Sequence, residues 1–87
     1  MKITQFSKVT CPPCQIAKVL IEQLQVNNKF DYEYIDLRKN LTIEQKLLVT
    51  NSNQKRLPII VKDNGEFIEY YRGSVNKKDI RKFIKND

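Results

Sequence analysis

With 40% hydrophobic and 30% charged residues, this 87-residue chain has the composition of a soluble globular protein with room for one modest core. The formal net charge is +6. Because the cations are scattered, we interpret them as solvated surface and expect no nucleic acid as a partner. No apolar run approaches the length of a membrane span, and no apolar segment follows Met1. We therefore expect one cytoplasmic, monomeric domain over residues 1–87, with no membrane partner.

The first predicted strand covers residues 2–6, where polar and apolar side chains alternate. A short loop then leads to the Cys-Pro-Pro-Cys motif of residues 11–14, which contains the only two cysteines of the chain. A helix is predicted over residues 13–26 from apolar residues at helical spacing, namely Ile16, Val19, Leu20 and Leu24. The two thiols therefore lie where a strand gives way to the start of a helix.

A cysteine at the start of a helix is chemically activated. Unpaired N–H groups and the positive end of the helix dipole both favour the thiolate, the nucleophilic form. Because proline fits the first turn and the residue before it is extended, Cys11 should lie at the N-cap and Cys14 inside the first turn. Cys11 would then attack a disulfide and Cys14 would resolve the mixed disulfide. Pro12 and Pro13 lack N–H groups, so the Cys14 N–H and the dipole remain to stabilise the Cys11 thiolate.

A cysteine pair can also bind a metal or hold a fold together. A structural zinc site needs about four ligands. This chain has two cysteines and no histidine, so we expect no metal site in it. A structural disulfide that closes so short a loop would add little stability. Because a C-x-x-C pair beside a βαβ pattern is typical of thiol redox chemistry, we expect a redox-active disulfide between Cys11 and Cys14.

The middle of the chain predicts a second strand and a second helix. The strand covers residues 32–37, and the helix before it is long enough for a crossover, so the first two strands should be parallel. Thr42 is a predicted N-cap with Gln45 three residues later, which is a capping-box pattern. The second helix follows over residues 43–49, with an apolar stripe formed by Ile43, Leu47 and Leu48.

The last third of the chain predicts a hairpin and a terminal helix. Residues 57–62 are an apolar run suited to a buried strand, and the turn signal at residues 63–65 predicts an antiparallel partner strand over residues 66–71. Asn76 can cap a final helix with Ile80, Phe83 and Ile84 on its apolar face. The order β-α-β-α-β-β-α predicts an α/β fold, a four-stranded mixed sheet with helices on both faces.

Three features of this order resemble the thioredoxin/glutaredoxin superfamily, and the resemblance covers essentially the whole chain. They are the Cys-Pro-Pro-Cys motif after the first strand, Leu57-Pro58 at the start of the third strand, and the hairpin from Gly65 to Gly73 before an amphipathic helix. The resemblance implies a thioredoxin-like fold of glutaredoxin size. It also implies a thiol–disulfide oxidoreductase with no tightly bound cofactor.

Within the superfamily, the resemblance is divided between two families. Residues 6–14 are similar to the active-site stretch of glutaredoxins, in which a lysine three residues before the first cysteine contacts a carboxylate of glutathione. This implies the same role for Lys8. Residues 58–66 and Gly73 resemble the second half of thioredoxins. Residues 72–77 lack the glycine pair and acidic pair with which glutaredoxins hold the γ-glutamyl end of glutathione.

The resemblance also implies a substrate site. The proline that opens the third strand is cis in this superfamily and faces the disulfide, which predicts a cis Pro58. Leu57 would then offer its backbone to an extended substrate strand. The alternative is that Pro58 only starts the strand. The substrate-binding residues expected on this basis are Lys8, Thr10, Pro12, Pro13, Arg56, Leu57, Pro58 and Gly73.

We therefore expect a thiol–disulfide oxidoreductase that reduces protein disulfides. The resemblance implies ribonucleotide reductase as one such partner. Two alternatives stay open: a glutathione-dependent glutaredoxin, and a non-catalytic binding module of the same fold. The expected reductant is thioredoxin reductase, with glutathione as the alternative, because Lys8 alone is a weak basis for glutathione binding.

Overall fold

The computed structural model describes residues 1–85. None of the helices in this part of the chain is long and apolar enough to cross a membrane. The strands and helices follow the predicted order: β1 (Lys2–Ser7), α1 (Pro12–Asn27), β2 (Asp31–Asp36), α2 (Ile43–Asn51), β3 (Ile59–Asp63), β4 (Ile68–Tyr70) and α3 (Lys77–Lys85).

The strands form one mixed, four-stranded sheet in the order β2-β1-β3-β4. β1 is parallel to β2, with Ser7 opposite Asp36, and antiparallel to β3, with Phe6 opposite Ile59. β4 is antiparallel to β3. The last residues of β1, β2 and β4 therefore lie at the same end of the sheet as the first residue of β3. We call it the disulfide end, because Cys11 follows β1, and we call the other end of the strands the opposite end.

Helices cover both faces of the sheet, which confirms the predicted α/β architecture. α1 and α3 share one core cluster, which contains Ile3, Ala17, Ile21, Ile60, Ile80 and Ile84. α2 covers the other face, where Leu48 and Val49 pack against Phe6, Ile35, Ile59 and Val61. Since both faces are covered, every side chain of β1 after Lys2 is buried, including the polar ones.

Contacts with the sheet set the directions of α2 and α3. The Lys62 side chain, on the β3 residue opposite Ile3, donates a hydrogen bond to the Phe83 carbonyl at 2.8 Å. The last turn of α3 therefore lies at the opposite end, and its first turn points to the disulfide end. Gln45, in the first turn of α2, lines a cavity with Lys2. α2 therefore also begins at the opposite end.

The predicted helix caps are confirmed. The Thr42 hydroxyl accepts a hydrogen bond from the Gln45 N–H at 3.1 Å, and the Gln45 side chain accepts one from the Thr42 N–H at 2.8 Å. These two bonds complete the capping box at the start of α2. The Asn76 side chain accepts the Asp79 N–H at 2.8 Å at the start of α3.

The predicted apolar faces of the first two helices were partly wrong. In α1 the buried residues are Cys14, Ala17, Ile21 and Leu24, whereas Ile16 and Val19 are about half exposed. In α2 the side chains of Ile43 and Leu47 are exposed, and none of its residues is fully buried. The spacing identified the helices correctly, but the small residue Ala17, which gave no apolar signal, marks the face of α1 that approaches the sheet.

Two strands begin two residues later than predicted, and the other strand boundaries differ by no more than one residue. β3 begins at Ile59 and not at residue 57, since Pro58 has no N–H to contribute to a ladder. β4 is shorter than predicted, because the turn uses the residues that were assigned to its start. The Asn64 side chain accepts hydrogen bonds from the N–H groups of Glu66 at 3.0 Å and Phe67 at 3.1 Å.

Candidate redox site

Cys11 and Cys14 form a disulfide at the end of β1, with their Cα atoms 5.2 Å apart. Cys11 is the N-cap of α1 and has extended backbone angles, φ −102° and ψ 106°. Pro12 and Pro13 occupy the first two helical positions, as their fixed φ favours. The prolines therefore start the helix directly after Cys11 and bring Cys14 one turn later, back towards it.

The two sulfur-bearing residues have different surroundings. Cys14 is fully buried beneath the helix, whereas Cys11 is partly exposed. The Cys14 N–H lies 3.3 Å from the Cys11 sulfur and 3.1 Å from the Cys11 carbonyl. Such a donor stabilises negative charge on the Cys11 sulfur when the bond is reduced. Cys11 is thus the sulfur that a substrate can reach, and Cys14 is the one that it cannot.

The segment before β3 lies at the same end of the sheet. The Leu57–Pro58 peptide bond is cis, the geometry that the superfamily resemblance implies. Ile59, directly after Pro58, pairs with Phe6 near the end of β1. The loop that carries the cysteines starts two residues after Phe6, at Lys8. Leu57 packs on the α2 side of the core. Residues 57–59 and the loop that carries the cysteines therefore both lie at the disulfide end.

The other residues predicted for the site lie on its surface. Lys8, Thr10, Pro12, Pro13 and Arg56 are all exposed. The Lys8 carbonyl accepts a hydrogen bond from the Cys11 N–H at 3.1 Å, so its backbone supports the loop while its ammonium group faces solvent. Within residues 1–85, neither the Lys8 side chain nor the Arg56 side chain forms an ion pair.

Lys18, one turn after Cys14 in α1, packs towards β2. Its ammonium nitrogen lies 5.0 Å from the centre of the Tyr34 ring, a cation–π distance. The Gln15 side chain donates a hydrogen bond to the same tyrosine's hydroxyl at 3.2 Å. This group of side chains fixes the outer surface of α1 to the edge strand.

Gly73 lies in the loop between β4 and α3. A Cβ at this position would lie 3.1 Å from the Tyr71 hydroxyl oxygen, which is closer than such contacts normally allow. The same hydroxyl donates a hydrogen bond to the Ser74 carbonyl. Gly73 therefore lets this loop fold tightly over Tyr71, next to the start of α3.

Sequence reasoning missed a buried polar network behind the disulfide. The Gln5 side chain is fully buried, and its amide nitrogen donates to the Cys14 carbonyl and to the Ser7 hydroxyl, each at 2.8 Å. Its amide oxygen accepts the Tyr32 hydroxyl at 2.7 Å. The alternation of side chains along β1 could have predicted it. Gln5 lies two residues after Ile3 and therefore on the same face of the sheet, so a helix that buries Ile3 also buries Gln5.

Tyr32 is the titratable member of this network. Burial raises the pKa of its hydroxyl well above the ordinary value, and the negative charge of Glu22 acts in the same direction. Tyr32 is therefore a neutral hydrogen-bond donor at physiological pH. The network behind the disulfide, in which Gln5 contacts the Cys14 backbone and Ser7 and Tyr32 contact Gln5, is therefore uncharged.

Residues 1–85 contain no group of three or more His, Cys, Asp or Glu side chains arranged to hold a metal ion. Both cysteines of the chain are used in the disulfide.

A protein-family model covers the part of the chain that carries this site. The family model described as Glutaredoxin matches residues 3–68. The chain belongs to the glutaredoxin family. The matched region of this glutaredoxin-family protein includes both cysteines, Lys8 and Pro58, and ends before residues 72–77. Family membership supports a thiol–disulfide oxidoreductase with a redox-active cysteine pair and no tightly bound cofactor. No curated protein sequence matches the chain.

Solved structures with the same fold are thioredoxins. A mutant thioredoxin from Halobacterium salinarum NRC-1 has a TM-score of 0.73 and 21% identity, over 98% of this chain and 72% of that one. Thioredoxin 1 from Thermosipho africanus TCF52B has a TM-score of 0.66 and 20% identity, over 99% and 97%. Trichomonas vaginalis thioredoxin has a TM-score of 0.63 and 18% identity, over 98% and 77%. At these identities the likeness shows the fold alone.

Proposed function

We propose that this glutaredoxin-family protein reduces protein disulfides through Cys11 and Cys14. The Cys11 thiolate attacks one sulfur of the substrate disulfide, which forms a mixed disulfide and releases the other substrate sulfur as a thiolate. Cys14 loses its proton and attacks the Cys11 sulfur, which closes the Cys11–Cys14 disulfide and releases the second substrate thiolate. Two electrons pass to the substrate, and the protons lost by the two cysteines balance those taken up by its thiolates.

The observation that carries this proposal is the difference between the two cysteines. Cys11 is partly exposed at the N-cap and its sulfur accepts the Cys14 N–H, whereas Cys14 is fully buried one turn later. An intermolecular attack requires an accessible sulfur, and resolution of the mixed disulfide requires only that the second sulfur face the first. The asymmetry therefore supports nucleophile and resolving roles in that order.

We further propose that substrates bind at the disulfide end as extended segments. The backbone of Leu57, before the cis bond to Pro58, would pair with the substrate strand. The remaining contacts would come from Lys8, Thr10, Pro12, Pro13, Arg56 and Gly73. The proposed setting is a cytoplasmic, monomeric domain over residues 1–87, with ribonucleotide reductase as one protein that it could supply with electrons.

We expect a flavin-dependent thioredoxin reductase to re-reduce the protein faster than glutathione does. Lys8 offers a glutathione carboxylate one exposed cation, which should contribute no more than about 1 kcal/mol. Residues 72–78 contain no acidic side chain for the amine of the γ-glutamyl end, and Lys77 and Lys78 carry the charge of the wrong sign. Family membership keeps a glutathione-dependent glutaredoxin as the second candidate.

The test is insulin reduction by the purified protein with each reducing system in turn. Turnover with NADPH and thioredoxin reductase that exceeds turnover with glutathione and glutathione reductase would support the proposal. The reverse order would make glutathione the reductant. If neither system supports turnover, and the Cys11–Cys14 disulfide does not exchange with glutathione buffers, the protein is a binding module and the proposed reaction is wrong.

A further inference from the structure

Exposed cations surround the disulfide end on every connection that meets there. Apart from Arg38, which is paired with Asp36, one follows β1, one follows β2, two precede β3, and three lie between the end of β4 and the first turn of α3. We call this set the basic face; its members are Lys8, Lys39, Lys55, Arg56, Arg72, Lys77 and Lys78, all exposed.

Carboxylates do not balance these charges locally. The segments that carry most of the basic face, residues 8–20, 53–58 and 72–78, contain no aspartate or glutamate. Two carboxylates lie at the margin of the face, and each is already engaged. Asp36 forms an ion pair with Arg38 at 3.2 Å, and the Asp79 side chain accepts a hydrogen bond from the Asn76 amide at 2.8 Å.

The acidic side chains concentrate at the opposite end instead. Asp31 lies opposite Lys2 in the register of β2 and β1. Glu33 forms an ion pair with Lys2 at 2.8 Å. Glu44 and Asp63 line one cavity there with Lys2. The net charge of +6 is therefore distributed unevenly, with the excess of positive charge around the disulfide.

We propose that the basic face selects disulfides that lie within acidic segments of protein substrates. The proposal rests on the reaction proposed above and adds the class of substrate. The cations lie on the connections at the end of the sheet that carries the reactive disulfide, so we expect the ligand that they recognise to carry both negative charge and a disulfide. An acidic polypeptide segment has both, whereas a nucleic acid has only the charge.

The physical mechanism is steering of the encounter. A surface with one sign of charge raises the local concentration of an oppositely charged partner and can increase association rates by about 10- to 1,000-fold. Because the cations are exposed, their field is screened by salt over about 8 Å at physiological ionic strength. The selectivity should therefore appear in the second-order rate constant of disulfide reduction and should weaken as ionic strength rises.

The experiment uses two synthetic peptides with the same short disulfide loop. One carries aspartate and glutamate on both sides of the loop, and the other carries lysine at the same positions. The rate constant for reduction by the reduced full-length protein is measured at about 20 mM and about 500 mM salt, the extremes of screening. We expect the acidic peptide to react at least about tenfold faster at low salt, with the ratio falling towards one at high salt.

A matched pair of double variants separates the basic face from net charge. Lys55→Glu with Lys77→Glu reverses two charges of the face. Lys29→Glu with Lys46→Glu makes the same change in net charge at exposed positions outside it. The first variant should reverse or abolish the preference for the acidic peptide, and the second should retain most of it. Thermal unfolding of both variants checks that the fold is intact.

The outcomes separate the two proposals. If both peptides react at equal rates at low salt, or if the two double variants lose the preference equally, the selection of acidic segments is wrong and the disulfide reductase activity stands. If neither peptide is reduced, both proposals are wrong. If the acidic peptide shows no preference at low salt, while a short single-stranded oligonucleotide binds the parent protein and not the Lys55→Glu, Lys77→Glu variant, the face serves nucleic acid and the inference is again overturned.

Discussion

Lysine has different roles at the two ends of the sheet. At the opposite end, Lys2 forms a 2.8 Å ion pair with Glu33, and Lys62 is only 3% exposed and bonds the Phe83 carbonyl at 2.8 Å. At the disulfide end, Lys8 and Lys55 are exposed and form no ion pair within residues 1–85. Lysine is therefore structural where it is paired, whereas the exposed, unpaired lysines of the disulfide end are the ones that we propose to meet substrates. Substitutions at the two ends should therefore change different measurements.

The largest effect is expected at the disulfide itself. Cys14→Ser should retain the attack by Cys11 and prevent resolution, so substrate proteins should remain attached as mixed disulfides while turnover is lost. Cys11→Ser should lose turnover too, but it should trap no substrate, because Cys14 is fully buried. Non-reducing gel electrophoresis of each variant after incubation with oxidised insulin measures the adducts. Equal trapping by the two variants would contradict the assigned roles.

The next largest effect is expected at the opposite end and should appear in stability alone. Lys62→Ala removes the donor to the Phe83 carbonyl and one partner of Glu69, which lies 3.7 Å from the Lys62 nitrogen. The loss of a charge-assisted hydrogen bond and of the packing of a side chain that is 3% exposed costs a few kcal/mol, so we expect a loss of about 2–4 kcal/mol in the free energy of unfolding. Urea denaturation measures this loss.

The matched control for this substitution is Lys46→Ala. Lys46 is exposed in α2, so its removal should change the free energy of unfolding by less than about 0.5 kcal/mol. The folded Lys62→Ala protein should reduce insulin at the rate of the parent, since Lys62 pairs with Ile3 far from Cys11. A loss of activity in the folded variant would show that the two ends are coupled, and the assignment of separate roles to their lysines would be wrong.

The sequence predicted the positions of the two cysteines at the disulfide end well, because residues next to them in the chain determine those positions. Proline geometry and capping residues place Cys11 and Cys14 within four residues of chain, with no need of tertiary information. The order of strands and helices followed from the same kind of local pattern. The cis bond before Pro58 came from the family resemblance and not from the residues alone.

The sequence failed where burial depends on what packs against an element. A polar residue such as Gln5 is ordinarily expected at the surface, yet helices cover both faces of the sheet and leave it no solvent. Lys62 ended a predicted buried strand, but its partner at Phe83 lies 21 residues away. Ile16 and Val19 are apolar and exposed, so helical spacing alone assigned them to the wrong surface.

A smaller effect is expected from the network behind the disulfide. Gln5→Leu removes the donor to the Cys14 carbonyl and to the buried Ser7 hydroxyl, and leaves the partly buried Tyr32 hydroxyl without its acceptor. An unsatisfied buried polar group costs about 1–3 kcal/mol, so we expect a loss of this size in the free energy of unfolding. Since Cys14 loses a contact that positions its backbone, the mixed disulfide formed by Cys11 should also resolve more slowly in stopped-flow measurements.

Tyr32→Phe is the control for Gln5→Leu. It leaves both bonds donated by the Gln5 amide nitrogen, including the one to Cys14, and removes only the hydroxyl that the amide oxygen accepts. It should lower stability, while resolution of the mixed disulfide stays near the parent rate. If the two variants slow resolution equally, the effect comes from loosening of the core and not from the Cys14 contact.

The smallest effect is expected at Asp36, the carboxylate nearest to the end of β1. Hydrogen bonds from the Arg38 side chain, and then from its backbone N–H, hold the pKa of Asp36 below its ordinary value. A lowered pKa stabilises the fold above the unfolded value of about 3.9, and this contribution is lost as the pH falls through the folded pKa. Arg38→Ala removes the side-chain bonds and keeps the backbone one, so the pKa of Asp36 should rise part of the way back.

NMR titration of the Asp36 carboxyl group measures this change directly, with Arg81→Ala as a control that removes an exposed arginine from α3. In the Arg38 variant, the acid-induced loss of stability that belongs to Asp36 should be complete at a higher pH and be smaller in total, because the folded and unfolded pKa values lie closer together. The freed carboxylate would also place an uncompensated negative charge beside the basic face. The preference for acidic peptides should then decrease slightly, and an increase would contradict the charge assignment of the disulfide end.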